Sequence, residues 1–413
     1  MFWRYWSSMA ISQSGTAVTA VALPLVAVTT LDASAFEVSL LTVATYLAWA
    51  VIGLPAGVFV QRLPLRGTQV TMDVVRAVAI ASVPVAWWLG HLTMAHVVGA
   101  ALVISLANVL FDVGNQTFLP SIVSREELTA RNSLVSATHS ATALGGPSLG
   151  GVVVQVLGAV PTLLVDAASF LVSAVLLRGL PRGSVPIRND QPPMGAMIRE
   201  GWRFVTRHPV MRPCMWGATA DNFANGALMA IIPVFLVRDL HASPVLVGVL
   251  IAADGVGSLI GAALAPWLTA RLGSARAMMV AAVGGAALAL LMPVGHEVWG
   301  MVAFAVANVG FGIGVVVFSI NARTHRQVVS PPELLSRVIA TVRFVSWGAI
   351  PFGALLGGVV ATVAGPRGGL WAACLLTLLG PAVLWFSPVR RLRDLVSEPE
   401  LPASSAPAGS SSR

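Results

Sequence analysis

Apolar residues run through this chain in stretches of about twenty, separated by short polar breaks. A helix needs about 20 mostly apolar residues to cross ~30 Å of hydrocarbon. Read with that length, the pattern predicts crossings at 7–30, 38–60, 68–90, 95–118, 133–156 and 160–178. Six more are predicted at 212–237, 244–269, 276–294, 299–321, 337–363 and 367–387. An outer-membrane barrel would instead show alternating segments of about ten residues. The expected fold class is an all-α integral membrane protein with twelve transmembrane helices in two six-helix bundles.

Composition sharpens this. Of the 413 residues, 56% are hydrophobic and only 10% charged, too few charges to cover the surface of a soluble domain. The net charge is +8, and every basic residue is arginine. Nucleic acid is not implied, because the arginines are scattered between apolar runs and form no single face. Their placement sets an orientation. The N-terminus and the even-to-odd connections carry Arg4, Arg62, Arg66, Arg125, Arg131, Arg271 and Arg276, with further arginines in the central linker and the tail. The other side has only Arg238 and Arg367, with Asp32, Glu37, Asp239 and Glu297. By the positive-inside rule both termini are expected in the cytoplasm, with the chain in the inner membrane. The start, "MFWRYWSS", runs straight into the first apolar stretch without a small-residue cleavage pattern, and reads as part of the first crossing. Cys214 and Cys374 sit in apolar stretches and form neither a disulfide framework nor a metal spacing.

The halves echo one another. "SREELTARNSL" (124–134) aligns with "SPPELLSRVIA" (330–340), "QRLPLRG" (61–67) with "ARLGSAR" (270–276), and "LANVLFDVG" (106–114) with "VANVGFGIG" (306–314). The expected organisation is an N-terminal six-helix bundle at 1–178, a cytoplasmic linker at 179–211, a C-terminal bundle at 212–388 and a disordered tail at 389–413. The linker opens "PRGSVPIRNDQPP" and continues "MGAMIREGWRFVTRHPVMR". Its second half reads either as a basic amphipathic helix on the inner membrane surface or as a solvated linker. Paired six-helix repeats point to a transporter with its path between the halves.

The stretches "FWRYWSSMAISQSGTAVTAVALPL" (2–25), "GLPAGVFVQRLPLRG" (53–67), "LPSIVSREELTARNSL" (119–134), "GGPSLGGVVVQVLGAVPTLLVDAASFLVSA" (145–174) and "IREGWRFVTRHPVMR" (198–212) together resemble the major facilitator superfamily. The branch they resemble contains the enterobactin-type siderophore exporters and macrolide efflux permeases, which implies the superfamily's fold and proton-coupled export. "GGPSLGG" is similar to the antiporter motif of the fifth helix, with Thr142 where a glycine is usual. Gly145, Gly146, Pro147, Gly150 and Gly151 are therefore expected to form a close-packed, bent seam, since small residues four apart let membrane helices approach backbone to backbone and proline kinks a helix. "PFGALLGG", with Gly353 and Gly357, repeats the pattern in the second half. The loop after the second crossing resembles the superfamily's gating loop at Gly57, Arg62 and Arg66. Gln61 replaces the usual aspartate, which implies a less firmly locked outward-open state.

Ionisable residues inside a membrane are costly and so are functional candidates. A proton-driven exporter needs a carboxylate that loads and releases a proton near neutral pH, and Asp112, Asp166, Asp221 and Asp254 are the candidates. Asp166 lies in "VDAASF", where helix packing is a competing role. Asp73 and Arg76, three apart, read as a structural pair. Arg343 either pairs with an acid on another helix or reaches for the inner face. His139 is titratable, but a packing role is expected. Trp49, Phe111, Phe223, Met229, Phe235 and Trp347 are candidates for contacting cargo. The function expected is secondary active export of a small amphipathic molecule (a drug, antibiotic or siderophore-like compound) by proton antiport and alternating access. A proton gradient is the energy source, with no cofactor or metal. The partners are a small-molecule substrate, protons and lipid, without nucleic acid, in a monomer. The alternatives are an importer or lipid flippase on the same fold, and a transporter-like sensor. No Walker loop, metal cluster or nucleophile elbow suggests an enzyme.

Overall fold

A computed structural model describes residues 1–61, 64–123, 128–180 and 194–395. Arg62, linker residues 181–193 and residues 396–413 of the expected tail lie outside them, as do the side chains of Gly57, Gln61 and His139, whereas tail residues 389–395, expected to be disordered, are ordered against Ser274, whose Oγ accepts from the Leu395 amide at 2.8 Å. The described residues form helices, with no strand among them. In the first half these are α1 (Phe2–Leu25), α2 (Ala35–Gln61), α3 (Leu65–Trp88), α4 (Met94–Ile122), α5 (Leu128–Leu157) and α6 (Ala159–Arg178). A π-helical turn, Val26–Thr30, extends α1. Next comes the linker helix α7 (Met194–Arg207). The second half has α8 (Met211–Arg238), α9 (Pro244–Leu272), α10 (Ser274–Ala289), α11 (Glu297–Val329), α12 (Pro332–Gly348), α13 (Ile350–Leu376) and α14 (Leu379–Trp385).

Seven continuous apolar stretches, from Phe2–Thr30 to Glu297–Val329, are each long enough for one crossing. The apolar helices Ala35–Trp49, Leu144–Leu157 and Ser274–Ala289 mark three more, inside α2, α5 and α10. Arg337–Trp385 holds two, because Gly365 breaks α13 at φ 74°, ψ 167°, just before Pro366. That positive φ favours glycine. The total is the twelve crossings read from the sequence, with α12 and the front of α13 forming the eleventh. Gly158, at φ 87°, makes the matching turn between α5 and α6. The connection into α2 is set by Ser34, whose Oγ accepts from the Glu37 amide at 3.2 Å while Glu37 returns a carboxylate to the Ser34 amide at 2.8 Å. This is a capping box read directly from the spacing Ser-x-x-Glu.

The two halves meet at one end. The largest buried apolar cluster takes Val28, Ala33, Ala35, Val97 and Val160 from the first half and Leu240, Ala242, Met292 and Leu370 from the second. All lie at the end opposite the arginine-rich connections. There α5 packs on α9 and α2 on α13. At the arginine-rich end, the clusters among the described residues each stay within one half. One gathers Phe2, Tyr5, Phe111, Leu177 and Leu180. Another gathers Cys214, Met278, Phe318 and Leu384. Among the described residues the bundle is thus zipped at one end and divided at the other.

Candidate functional site

Glycines make the zip possible. A Cβ on Gly146 would strike Ala17, and one on Gly150 would lie 3.1 Å from Val18 Cα, so both pack α5 onto α1 within the first half. Gly151 turns the other way. It meets Pro244, Val245 and Gly248 of α9, and Gly248 in turn lies under the Pro147 carbonyl. The second half repeats the arrangement. Gly353 and Gly357 pack on Phe223 and Ala227 of α8, while Gly358 crosses to Phe36 and Ser39 of α2. In each half, therefore, two glycines bind a helix to its own bundle and the next one binds it to the other bundle. Gly145 stands apart, with nothing within 4 Å of a Cβ there. An ion pair caps the closed end: Arg238 on α8 donates to Asp32 Oδ1 at 2.9 Å and to the Ala33 carbonyl at 2.8 Å.

Where the zip stops, side chains from both halves converge. Trp49 of α2 and Trp347 of α12 meet edge to face, ring centroids 5.7 Å apart. The Arg343 guanidinium lies 4.0 Å over the Trp347 ring and 4.8 Å from the Trp49 ring. A cation against tryptophan in this geometry gains about 0.5–2 kcal/mol. Arg343 is also within electrostatic reach of Asp112 on α4, as is Arg76. Asp112 and Arg343 are both exposed. Arg343, partnerless by sequence, is thus a cation of the second half held by rings from both halves and within electrostatic reach of an acid of the first.

The other acids have different surroundings. Asp166 is 1% exposed, accepts from Thr19 Oγ1 at 2.6 Å and Ser169 Oγ at 3.0 Å, and lies against Gly15. It pins α6 to α1. Asp73 and Arg76 form a buried ion pair. Ser173 of α6 donates to Asp73 at 2.6 Å, Ser8 of α1 hydrogen-bonds Ser173 at 2.8 Å, and Arg76 donates to Asn108 of α4 at 2.9 Å. Arg76 also lies 4.0 Å over the Phe111 ring and 4.5 Å over that of Phe170. This network stays inside the first bundle and joins four of its helices. Asp221 faces a small cavity of about 10 Å³ inside the second bundle, beside Ala282, Gly285, Phe311 and Thr377. That is roughly room for one water. Asp254 is exposed on α9, with its carboxylate beside Gly312 of α11.

The aromatic candidates divide in the same way. Trp49 and Trp347 come together between the halves. Phe111 is buried beneath Arg76. Phe235 is fully buried against Phe304, with Arg367 over its ring, in the cluster at the closed end, and is no lining of a path. Phe223 is half-buried where its carbonyl meets Gly353. Met229 is exposed and accepts from Asn225. In the gating loop, Arg66 donates to the Leu180 carbonyl at 2.9 Å, tying the start of α3 to the end of α6. Asp32 and Arg238 were visible in the sequence only as rare charges at the arginine-poor end. Their pairing across the halves, and the serine bridge to Asp73, depend on three-dimensional packing.

Comparisons with known proteins agree with this architecture. Residues 1–408 match the family model described as transmembrane secretion effector. The multidrug efflux pump Tap of Mycolicibacterium fortuitum is 29% identical over 94% of this chain and 95% of its own. Among solved structures, the nucleoside transporter NupG superposes with a TM-score of 0.71 at 13% identity, covering 92% of this chain and 97% of that one. A bacterial homologue of the iron transporter ferroportin in its inward-facing state gives 0.72 at 15% identity, covering 93% and 97%. Its outward-facing state gives 0.57 at 16% identity, covering 93% and 98%. The chain belongs to the transmembrane secretion effector family of the major facilitator superfamily.

Proposed function

We propose that this transporter exports a small amphipathic molecule in exchange for protons, by opening its two ends alternately. Kinship with Tap, named a multidrug efflux pump, supports efflux. The distribution of arginines supports an orientation with the divided end, and both termini, in the cytoplasm. In that orientation the described state is the one that takes up cargo from inside the cell.

The proton step rests on Asp112 of one half lying within electrostatic reach of Arg343 of the other, as well as of Arg76 of its own half. Ionised, Asp112 attracts Arg343 and draws α4 towards α12. A proton on Asp112 cancels that attraction, leaving Arg343 to the tryptophan rings. Cargo entering from the divided end meets the same rings and the same carboxylate. Proton and cargo therefore act on one group, as exchange requires. Asp166 and Asp73 are committed to packing, and Asp221 faces space inside one bundle. Asp254 is the second candidate, exposed but on a single half.

The test is transport in proteoliposomes under an imposed pH gradient, with ethidium as the probe. Asp112→Asn should abolish gradient-driven accumulation while leaving downhill equilibration of the dye. Asp254→Asn serves as comparison. Full gradient-driven accumulation by Asp112→Asn would overturn the assignment.

A further inference from the structure

The linker helix α7 builds a feature that transport does not require. Its small face docks on α12. A Cβ on Gly201 would lie 2.7 Å from Thr341 Oγ1 and 2.8 Å from the Arg337 carbonyl, and Val205 is fully buried beside Val338 and Val342. Glu200 is committed to an ion pair with Arg337. A neighbouring face borders an open groove of about 460 Å³ lined by Glu200, Arg203, Phe204, Arg207, His208 and Leu334. Arg203 and Arg207 lie one turn apart, both exposed. Among the described residues neither forms an ion pair, a hydrogen bond or a ring contact. Among the described residues Glu200 is the one acid lining the groove, and Arg337 already engages it. On the adjoining face Ile198 and Trp202 are 38% and 42% exposed, one turn apart.

Two uncommitted guanidiniums over an apolar floor suit a phosphate with a hydrocarbon body attached. Guanidinium binds phosphate bidentately, and an exposed tryptophan beside it sits well at the boundary of headgroups and acyl chains. We infer that the groove between α7 and the start of α12 binds the headgroup of an anionic phospholipid, with Arg203 and Arg207 holding its phosphate and Phe204 and Leu334 lining the space below. The site is independent of cargo export and of the proton step. It bears on the transporter through α12, which carries Arg337 at the linker and Arg343 at the meeting point of the halves.

The test is native mass spectrometry of the full chain in detergent, titrated with phosphatidylglycerol or phosphatidylcholine of identical acyl chains. The unaltered protein should retain one phosphatidylglycerol in clear preference to phosphatidylcholine. Arginine near a membrane surface contributes about fivefold each in affinity for anionic lipid. Arg203→Gln/Arg207→Gln should therefore weaken phosphatidylglycerol retention roughly tenfold or more, while Arg390→Gln/Arg391→Gln at the exposed C-terminal end leaves it unchanged. A photo-crosslinking phosphatidylglycerol should label the peptide spanning Arg199 to Arg212 in the unaltered chain, which tests the site even where the double variant fails to fold. Equal retention of the two lipids, undiminished binding by the folded double variant, or crosslinks confined to other peptides would each overturn the proposal. Inorganic phosphate displacing the lipid at equal concentration would also overturn it, assigning the groove to a free anion.

Discussion

Alanine at Gly151 adds one methyl to α5 where α9 crosses it. Its carbon would lie 2.5 Å from the Pro244 carbonyl oxygen, 3.1 Å from Val245 Cα and 3.2 Å from Gly248 Cα, against ordinary contact from 3.4 Å. All three are backbone atoms, so no rotamer change relieves the clash. Overpacking of this kind costs roughly 1–3 kcal/mol. The contact joins the two halves, so the cost falls on the state in which this end is closed. A state with the halves parted here escapes it. The equilibrium between the two should therefore shift about 5- to 150-fold towards the latter. Even a tenfold shift raises a minor state from roughly one part in a hundred to about a tenth. Gly150→Ala is the control. Its methyl would press 3.1 Å from Val18 Cα inside the first half, a contact kept whichever end is open. Spin labels at Thr71→Cys and Arg276→Cys, exposed near the starts of α3 and α10, report the width of the divided end. Electron–electron distance measurements should show a growing short-distance population in Gly151→Ala and none in Gly150→Ala. Distributions for Gly151→Ala that match the parent would refute the argument that this glycine sets the closed state.

Other perturbations follow from the same geometry. Asp73→Asn takes from Arg76 its ion-pair partner and leaves only the Asp112 and Asp166 carboxylates at longer range, and should cost up to roughly 3 kcal/mol, seen as a clear fall in the temperature at which the detergent-solubilised protein loses its monodisperse gel-filtration peak. Asp166→Asn keeps a side-chain oxygen for Thr19 or Ser169, so proton-driven dye efflux should persist. Complete loss of coupling with intact folding would return Asp166 to the proton path. Arg238→Gln removes an exposed ion pair worth at most about 1 kcal/mol and a hydrogen bond to the Ala33 carbonyl worth about as much, so the distance populations above should change less than about thirtyfold, and added salt should shrink the ion-pair share of the difference.

Features set by chain length and backbone sterics are legible in this sequence, whereas features set by juxtaposition are not. The apolar run length gives twelve crossings because hydrocarbon thickness dictates it. Glycines four apart mark faces that approach closely, although the sequence does not say that Gly151 and Gly358 cross between bundles while Gly146 and Gly353 stay within them. The acids show what lies beyond the reach of sequence. Asp112, Asp166, Asp221 and Asp254 look alike as single carboxylates in apolar runs. They differ only in what the folded chain places opposite them, namely an arginine of the other half, two hydroxyls, a small void and an exposed surface. The void itself has an explanation that joins both levels. With 61–67 aligned on 270–276, Asp73 and Arg76 of the first half fall on Ala282 and Gly285 of the second. The first bundle fills that position with an ion pair and its hydrogen-bonded serines. In the second bundle the same position holds two small residues, and the space they leave is the cavity that Asp221 faces. The repeat conserves the helices and their turns, while exchanging a charged core in one half for open space beside a carboxylate in the other. That exchange leaves the second bundle with room for a buried water at Asp221.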